Sequence, residues 1–127
     1  MKNKLQFLFI DNPSGYAPKD AYVVHLSAPI MDNIELYEKL KSQLNFPDYF
    51  GFNWDALYDC LRDLNWIKNQ KVIIVHDILP VIDDVSMRLY IEILYNSIKE
   101  WNHRKEDKLQ VVFPINKKDV IDKFLHK

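Results

Sequence analysis

Residues 46–66, FPDYFGFNWDALYDCLRDLNW, carry the strongest pattern in the chain, a turn followed by an amphipathic helix. Pro47 fixes its own φ angle and Gly51 permits a positive φ angle, which favours a turn before the helix. Asn53 occupies the position of a helix N-cap, where its side-chain oxygen can accept from a free amide of the first turn. Apolar residues then recur at helical spacing, which predicts one buried face made of Ala56, Leu57, Cys60, Leu61 and Leu64.

The opposite face of this helix is acidic. Asp55, Asp59 and Asp63 are four residues apart, so their carboxylates line up along the helix. Like charges at this spacing destabilise a helix by about 0.2–0.5 kcal/mol per pair. Arg62, three residues after Asp59, can offset only part of this repulsion. A row of acids that opposes folding therefore needs an explanation.

Two aromatic residues, Trp54 and Tyr58, flank this acidic row, and two interpretations fit the combination. In the first, the face is an ordinary solvated one, and both rings tuck under neighbouring loops. In the second, the face is an anionic and aromatic binding surface suited to a cationic partner. The residues alone leave both interpretations open.

The composition limits the classes of protein to which the chain can belong. Its 127 residues are 48% apolar, which is enough for one ordinary domain with one core. A net charge of −1, and a region 103–127 of mixed sign without clustered aromatics, argue against direct nucleic-acid binding. No apolar run approaches the ~18–20 residues of a membrane span, and residues 1–10 lack the cleavage pattern of a signal peptide. The sequence thus predicts a soluble cytoplasmic protein without a membrane partner.

Cys60 is the single cysteine, and it falls on the apolar face of the predicted helix. We interpret it as a buried small hydrophobe rather than a nucleophile. One cysteine also excludes an intramolecular disulfide, which fits a reducing compartment.

The rest of the chain alternates strands and helices. Strands are predicted at 5–10, 22–26, 71–76 and 109–113, and helices at 33–44, 85–101 and after Asn116, which could cap the last one. Asp32 is a plausible N-cap for the first of these helices. The predicted buried residues of the first two are Ile34, Tyr37, Leu40, Leu44, Leu89, Ile93, Leu94, Ile98 and Trp101, and those of the last are Val120, Ile121, Phe124 and Leu125. Strands separated by helices imply an α/β fold with a small, mainly parallel sheet of three to four strands flanked by helices.

Two histidines lie in predicted strands. His25 has apolar neighbours, and we interpret it as a satisfied histidine of the sheet. His76 and Asp77 end a buried strand, and ligands often bind at that edge of an α/β sheet. No nucleophile, glycine-rich loop or metal-ligand spacing accompanies them, so we favour a structural role in which His76 packs at the strand end and Asp77 or Asp83–Asp84 caps the next helix.

Residues 46–64, FPDYFGFNWDALYDCLRDL, resemble the barstar family of intracellular inhibitors of the ribonuclease barnase. The pattern of an aromatic–glycine turn followed by N-x-D-A-L-aromatic-D-C-L is long and specific, and the order of strands and helices extends the likeness from Tyr22 to Phe113. The resemblance implies a single barstar-like domain over 1–127, with extensions at about 1–20 and 115–127. It also implies a non-enzymatic immunity protein, without a cofactor, that blocks a secreted ribonuclease or similar toxin.

The resemblance places a partner-binding surface on Tyr49, Gly51, Asn53, Trp54, Asp55, Tyr58 and Asp59. Asp59 would enter the nuclease active site in place of a substrate phosphate, because a carboxylate offers similar acceptors to arginine forks. The chain departs from the family at two of its positions. Tyr58 stands where a tryptophan is usual, and Ser97 aligns with an acid of a later helix. The partner therefore stays open between a basic ribonuclease and another basic toxin.

Two other functions compete with inhibition. Asp55 and Asp59 could be ligands of a metal-dependent hydrolase, although oxygen-only sites normally recruit more ligands than the sequence visibly supplies. The same fold could also serve as an interaction module for a regulatory partner that is not a nuclease.

Overall fold

Four parallel strands form one sheet in the computed structural model, which describes residues 7–125. They are β1 (Leu8–Ile10), β2 (Ala21–Leu26), β3 (Lys71–His76) and β4 (Leu109–Pro114), in the spatial order β1-β4-β3-β2. The predicted parallel sheet is confirmed. Residues 5 and 6 of the first predicted strand lie outside the described residues.

β3 lies inside the sheet because its side chains are apolar in both directions. Val72 and Ile74 face the main core under the helices, whereas Ile73 and Val75 belong to a second cluster on the opposite face. Tyr16, which follows β1, packs against that second cluster. The nearly continuous apolar run of this strand thus matches a strand covered on both faces.

Four helices accompany the strands: α1 (Asn33–Leu44), α2 (Trp54–Asp63), α3 (Asp84–His103) and α4 (Lys118–Leu125). The predicted caps Asp32 and Asn53 each accept a hydrogen bond of 2.8 Å, from the amides of Glu35 and Ala56. Asp83 caps α3 in the same way. α4 begins only after a 3₁₀ turn at Ile115–Lys117, so Asn116 lies inside that turn and is not its cap.

The buried faces of α1 and α3 differ from the predicted ones. Ile34 is 52% exposed, and Leu36 is buried in its place, since Leu36 shares the four-residue spacing of the other buried leucines. Leu89 is likewise exposed, whereas a four-three spacing in α3 buries Met87, Ile91, Leu94, Ile98 and Trp101, with Tyr90 beside them. In α4, Ile121 is buried but Val120 is exposed. In α1 and α3 the buried residues follow one regular helical spacing, from which the predicted sets departed at Ile34 and Leu89.

Two tryptophans fix the ends of helices. Trp101 Nε1 of α3 donates to the Leu61 carbonyl of α2, and Trp66 Nε1 donates to the Leu44 carbonyl of α1, both at 2.8 Å. These carbonyls lie in the last helical turns, where no helical amide is available to them. The indoles therefore satisfy groups that would otherwise need water, and Trp101 holds α2 against α3.

We expect Trp101→Phe to lower the free energy of unfolding by about 1–3 kcal/mol, because a buried carbonyl loses its donor. Trp66→Phe is the matched control: Trp66 makes the same bond but is half-buried, so water can replace the indole and the loss should be smaller. Urea denaturation of the two variants compares them. Equal losses in the free energy of unfolding would show that burial of the carbonyl does not determine the cost of losing the indole donor.

Candidate functional site

The loop before α2 is fixed by buried aromatic rings. Phe46 and Phe50 are buried with their ring centroids 4.9 Å apart, whereas Tyr49 between them is 76% exposed. The positive φ angle of this loop falls on Phe52, at 54°, and not on Gly51 as predicted. Gly51 matters instead for close approach, since a Cβ atom there would lie 3.3 Å from the Asn53 side-chain nitrogen.

The apolar face of α2 forms as predicted. Leu57, Cys60, Leu61 and Leu64 are buried, and Ala56 is half-buried. Burial, and to a smaller extent the negative charges of Asp59 and Asp63, raise the pKa of the Cys60 thiol to about 11. The thiolate form is therefore disfavoured, which supports the interpretation of Cys60 as a small buried hydrophobe.

Trp54 is half-buried rather than exposed, so for this ring the first interpretation is the nearer one, although the ring packs on helices and not under loops. Its ring packs between two helices, with centroids 5.0 Å from Tyr37 of α1 and 6.2 Å from Tyr90 of α3. A signal was available, because Trp54 is three residues before Leu57 and seven before Leu61, which is the spacing of the buried face. Trp54 therefore anchors the start of α2.

The acids of α2 remain accessible. Asp55 is exposed, the Asp59 side chain is 72% exposed, and Asp63 is half-buried. Arg62 Nη2 pairs with Asp59 Oδ1 at 2.5 Å, as the i,i+3 spacing suggested. This single cation leaves most of the Asp59 side chain open to solvent, so the acid is neither turned inward nor sealed.

Tyr58 is half-buried beneath the same arginine. The Arg62 guanidinium carbon lies 4.0 Å from the centre of the Tyr58 ring, and Arg62 Nε donates to the Tyr58 carbonyl at 3.3 Å. Cation–π contact of this kind covers one face of the ring. The residue that stands in place of the family's tryptophan is thus partly shielded by its own chain.

Ser97 cannot replace an interface acid. It is fully buried on α3, and its hydroxyl oxygen has no hydrogen-bond partner among the described residues. Ser97 lies three residues after Leu94 and four before Trp101, so the helical spacing already places it on the buried face. The Ser97 side chain is therefore not accessible to a partner at this position.

His76 and Asp77 do not form a catalytic pair. His76 is fully buried, with Nδ1 3.0 Å from the Val112 carbonyl and Nε2 2.6 Å from the Tyr90 hydroxyl. Asp77 instead contacts Nδ1 of His25 at 2.9 Å, and His25 Nε2 faces the carbonyl of Tyr16 at 3.0 Å. Both rings have both nitrogens engaged. His25 is thus a satisfied sheet histidine that ties the segment after β1 to the edge of the sheet.

Asp55 and Asp59 find no third ligand for a metal. Within residues 7–125, no group of three or more His, Cys, Asp or Glu side chains is placed to hold a metal ion. The geometry therefore offers no support to the metal-dependent hydrolase.

In the same part of the chain, no helix has the length and apolar content needed to cross a bilayer.

Five of the seven predicted partner-binding residues form one accessible surface. These are Tyr49, Gly51, Asn53, Asp55 and Asp59, all exposed on α2 and on the loop before it. Tyr58 borders this surface half-buried, and Trp54 supports it from beneath. We call the exposed five together with Tyr58 the α2 face. Arg62 also belongs to the α2 face, because its guanidinium contacts both Asp59 and Tyr58, and it is the residue that the predicted set left out.

Comparison with known proteins gives two matches. The sequence profile of the family described as "Barstar (barnase inhibitor)" matches residues 21–114, which include β2 to β4 and the whole α2 face. A Bacillus subtilis (strain 168) protein named "Putative ribonuclease inhibitor YrdF" is 54% identical over 37 residues. That match covers 28% of this chain and 38% of the relative, so it spans well under half of either protein.

Proposed function

Because the chain belongs to the barstar family, we propose that it binds a basic ribonuclease through the α2 face and blocks its active site. Members of this family are inhibitors and not enzymes. We further propose that the chain acts as an immunity protein, protecting the cell that produces the ribonuclease. A different basic toxin would use the same chemistry.

The exposed carboxylate of Asp59 carries this proposal. A ribonuclease active site holds cations that bind the substrate phosphate, and a carboxylate presents acceptor oxygens to those cations in a similar way. Asp55 lies one turn before Asp59 on the same face, and the exposed Tyr49 can pack against the rim of a cleft. Together they supply a charged centre and an aromatic contact, the combination that dominates binding at many interfaces.

The acidic row has a second effect, on the rate of association. Asp55, Asp59 and Asp63 make one side of α2 negative although the chain as a whole carries a net charge of only −1. Such a patch steers a basic partner toward it, and barnase with barstar is the standard example of this effect. The repulsion that makes the row unfavourable for the free helix thus becomes an advantage in the complex.

The direct test measures hydrolysis of an RNA oligonucleotide by a panel of basic secreted ribonucleases, barnase included, with increasing amounts of the purified chain. We expect stoichiometric inhibition of at least one enzyme. Raising the ionic strength from about 0.01 M to about 0.15 M should slow association tenfold or more, because salt screens the acidic row. Asp122→Ala is the control, because it removes one negative charge from α4 and leaves the acidic row of α2 intact. This variant should keep the same dependence on salt.

Two results would contradict the proposal. One is the absence of inhibition across the panel, and the other is inhibition whose association rate does not respond to salt. Affinity capture from the source cells then decides what replaces it. Recovery of a regulator without nuclease activity would favour the alternative of a barstar-like interaction module.

A further inference from the structure

Arg62 contacts Asp59 and Tyr58, two side chains of the surface on which the proposed inhibition depends. Its Nη2 atom pairs with Asp59 Oδ1, and its guanidinium covers the ring of Tyr58 at 4.0 Å. A third contact, from Nε to the Tyr58 carbonyl, fixes the plane of the group. The Arg62 side chain is only 33% exposed as a result. It is therefore a defined part of the α2 face and not a loose surface cation.

The contact with Asp59 restricts how a partner can bind. An arginine of a nuclease cleft binds a carboxylate most strongly as a fork, with two parallel N–H···O bonds to the two oxygens. Arg62 already holds one of these oxygens, Oδ1. Oδ1 keeps a second lone pair, so a partner arginine can still bind both oxygens, but the adjacent Arg62 guanidinium crowds and repels that arginine unless Arg62 moves away.

Moving Arg62 has two costs. The ion pair with Asp59 and the cation–π contact with Tyr58 are lost, and together such contacts at half-exposed sites correspond to roughly tenfold in affinity. The released guanidinium also stays beside the incoming cations, which repel it unless an acceptor is near. A cleft that is basic throughout offers no such acceptor.

We propose that Arg62 is a specificity-determining residue of the α2 face. It selects ribonucleases whose basic cleft carries a carboxylate at the rim, where the released guanidinium finds a new partner, and it discriminates against clefts that are basic throughout. This inference rests on the proposed function and adds the chemistry of the preferred partner. An unfavourable contact built against wrong partners is a common source of specificity.

The test compares Arg62→Ala with the native chain against every member of the same ribonuclease panel. We expect the variant to inhibit the weakly bound enzymes roughly tenfold better and the best-bound enzyme equally or less well, so that discrimination between them falls. Arg62→Gln, which keeps a shorter polar side chain without the charge, should behave in the same way. Circular dichroism melting verifies that both variants are folded.

Lys118→Ala is the matched control. Lys118 pairs with Asp122 and lies 5.3 Å from the ring centre of Phe9, so its removal deletes the same kinds of contact on α4. We expect no change in discrimination. If Arg62→Ala shifts all affinities by one common factor, or by none, the inference is wrong while the proposed function stands. If neither protein inhibits any enzyme, the proposed function fails and the inference fails with it.

Discussion

Asp59→Ala is expected to weaken ribonuclease binding by several kcal/mol, a loss of a hundredfold or more in affinity, while leaving the fold intact. The effect is large because the partner's cations would remain buried in the complex without a counter-charge. Stability should change by less than about 1 kcal/mol, because the variant loses an exposed ion pair with Arg62 but is relieved of repulsion within the acidic row. Inhibition constants and urea denaturation of the same preparations measure both quantities.

Asp55→Ala is the informative comparison for this experiment, because it removes the same group from the same face one turn earlier. We expect a smaller loss, since Asp55 flanks the carboxylate that enters the cleft. The double variant Asp59→Ala/Arg62→Ala should regain part of the affinity that Asp59→Ala loses, because it also removes the guanidinium that the cations of the cleft repel. An Asp59→Ala protein that still inhibits at native concentrations would refute the assignment of Asp59 as the central residue.

The core of the fold could be predicted from the sequence because its signals are local. The continuous apolar run of β3 and the N-caps Asp32 and Asn53 each depend on residues close together in the chain, and all three predictions were confirmed. The strand order β1-β4-β3-β2 has no local signal, because β1 joins β4 across most of the chain. Pairing over such a separation is decided by packing against the whole sheet.

The α2 face was predicted in part for the same reason. Helical spacing identified the buried leucines and the aligned acids, and it also groups Trp54 with the buried face, but the contacts of its ring with Tyr37 and Tyr90 depend on two other helices. From the sequence, Arg62 was expected only to offset part of the repulsion within the acidic row. Its contact with Tyr58 follows from the i,i+4 spacing, which brings the two side chains together on a helix. The spacing thus held a signal for both omissions, the burial of Trp54 and the contact between Arg62 and Tyr58.

A second large effect is expected from acid, through His76. Burial lowers the pKa of His76 from about 6.5 to about 4, and the hydrogen bond to the Val112 carbonyl and the negative charge of Asp77 offset only part of this shift. The Val112 carbonyl accepts a hydrogen bond from Nδ1–H, so Nε2 carries no proton and accepts from the Tyr90 hydroxyl. Burial likewise raises the pKa of Tyr90, which therefore stays protonated as a donor. A proton added to His76 would place a positive charge in the core, where burial disfavours it.

The direction of the pH effect follows from these values. Above pH 6.5 both the folded and the unfolded chain keep His76 neutral, and the stability is complete. As the pH falls from 6.5 to about 4, His76 becomes protonated in the unfolded chain but stays largely neutral in the folded chain. The free energy of unfolding therefore falls by about 3 kcal/mol over this interval. The double variant His76→Phe/Tyr90→Phe removes the buried imidazole and the hydroxyl that donates to it. Between pH 6.5 and about 4, its free energy of unfolding should fall by about 3 kcal/mol less than that of the native chain, because the other titrating groups are unchanged. Urea denaturation of both proteins at pH 7, 6, 5 and 4 measures the difference, and parallel pH profiles would show that His76 does not destabilise the fold in acid.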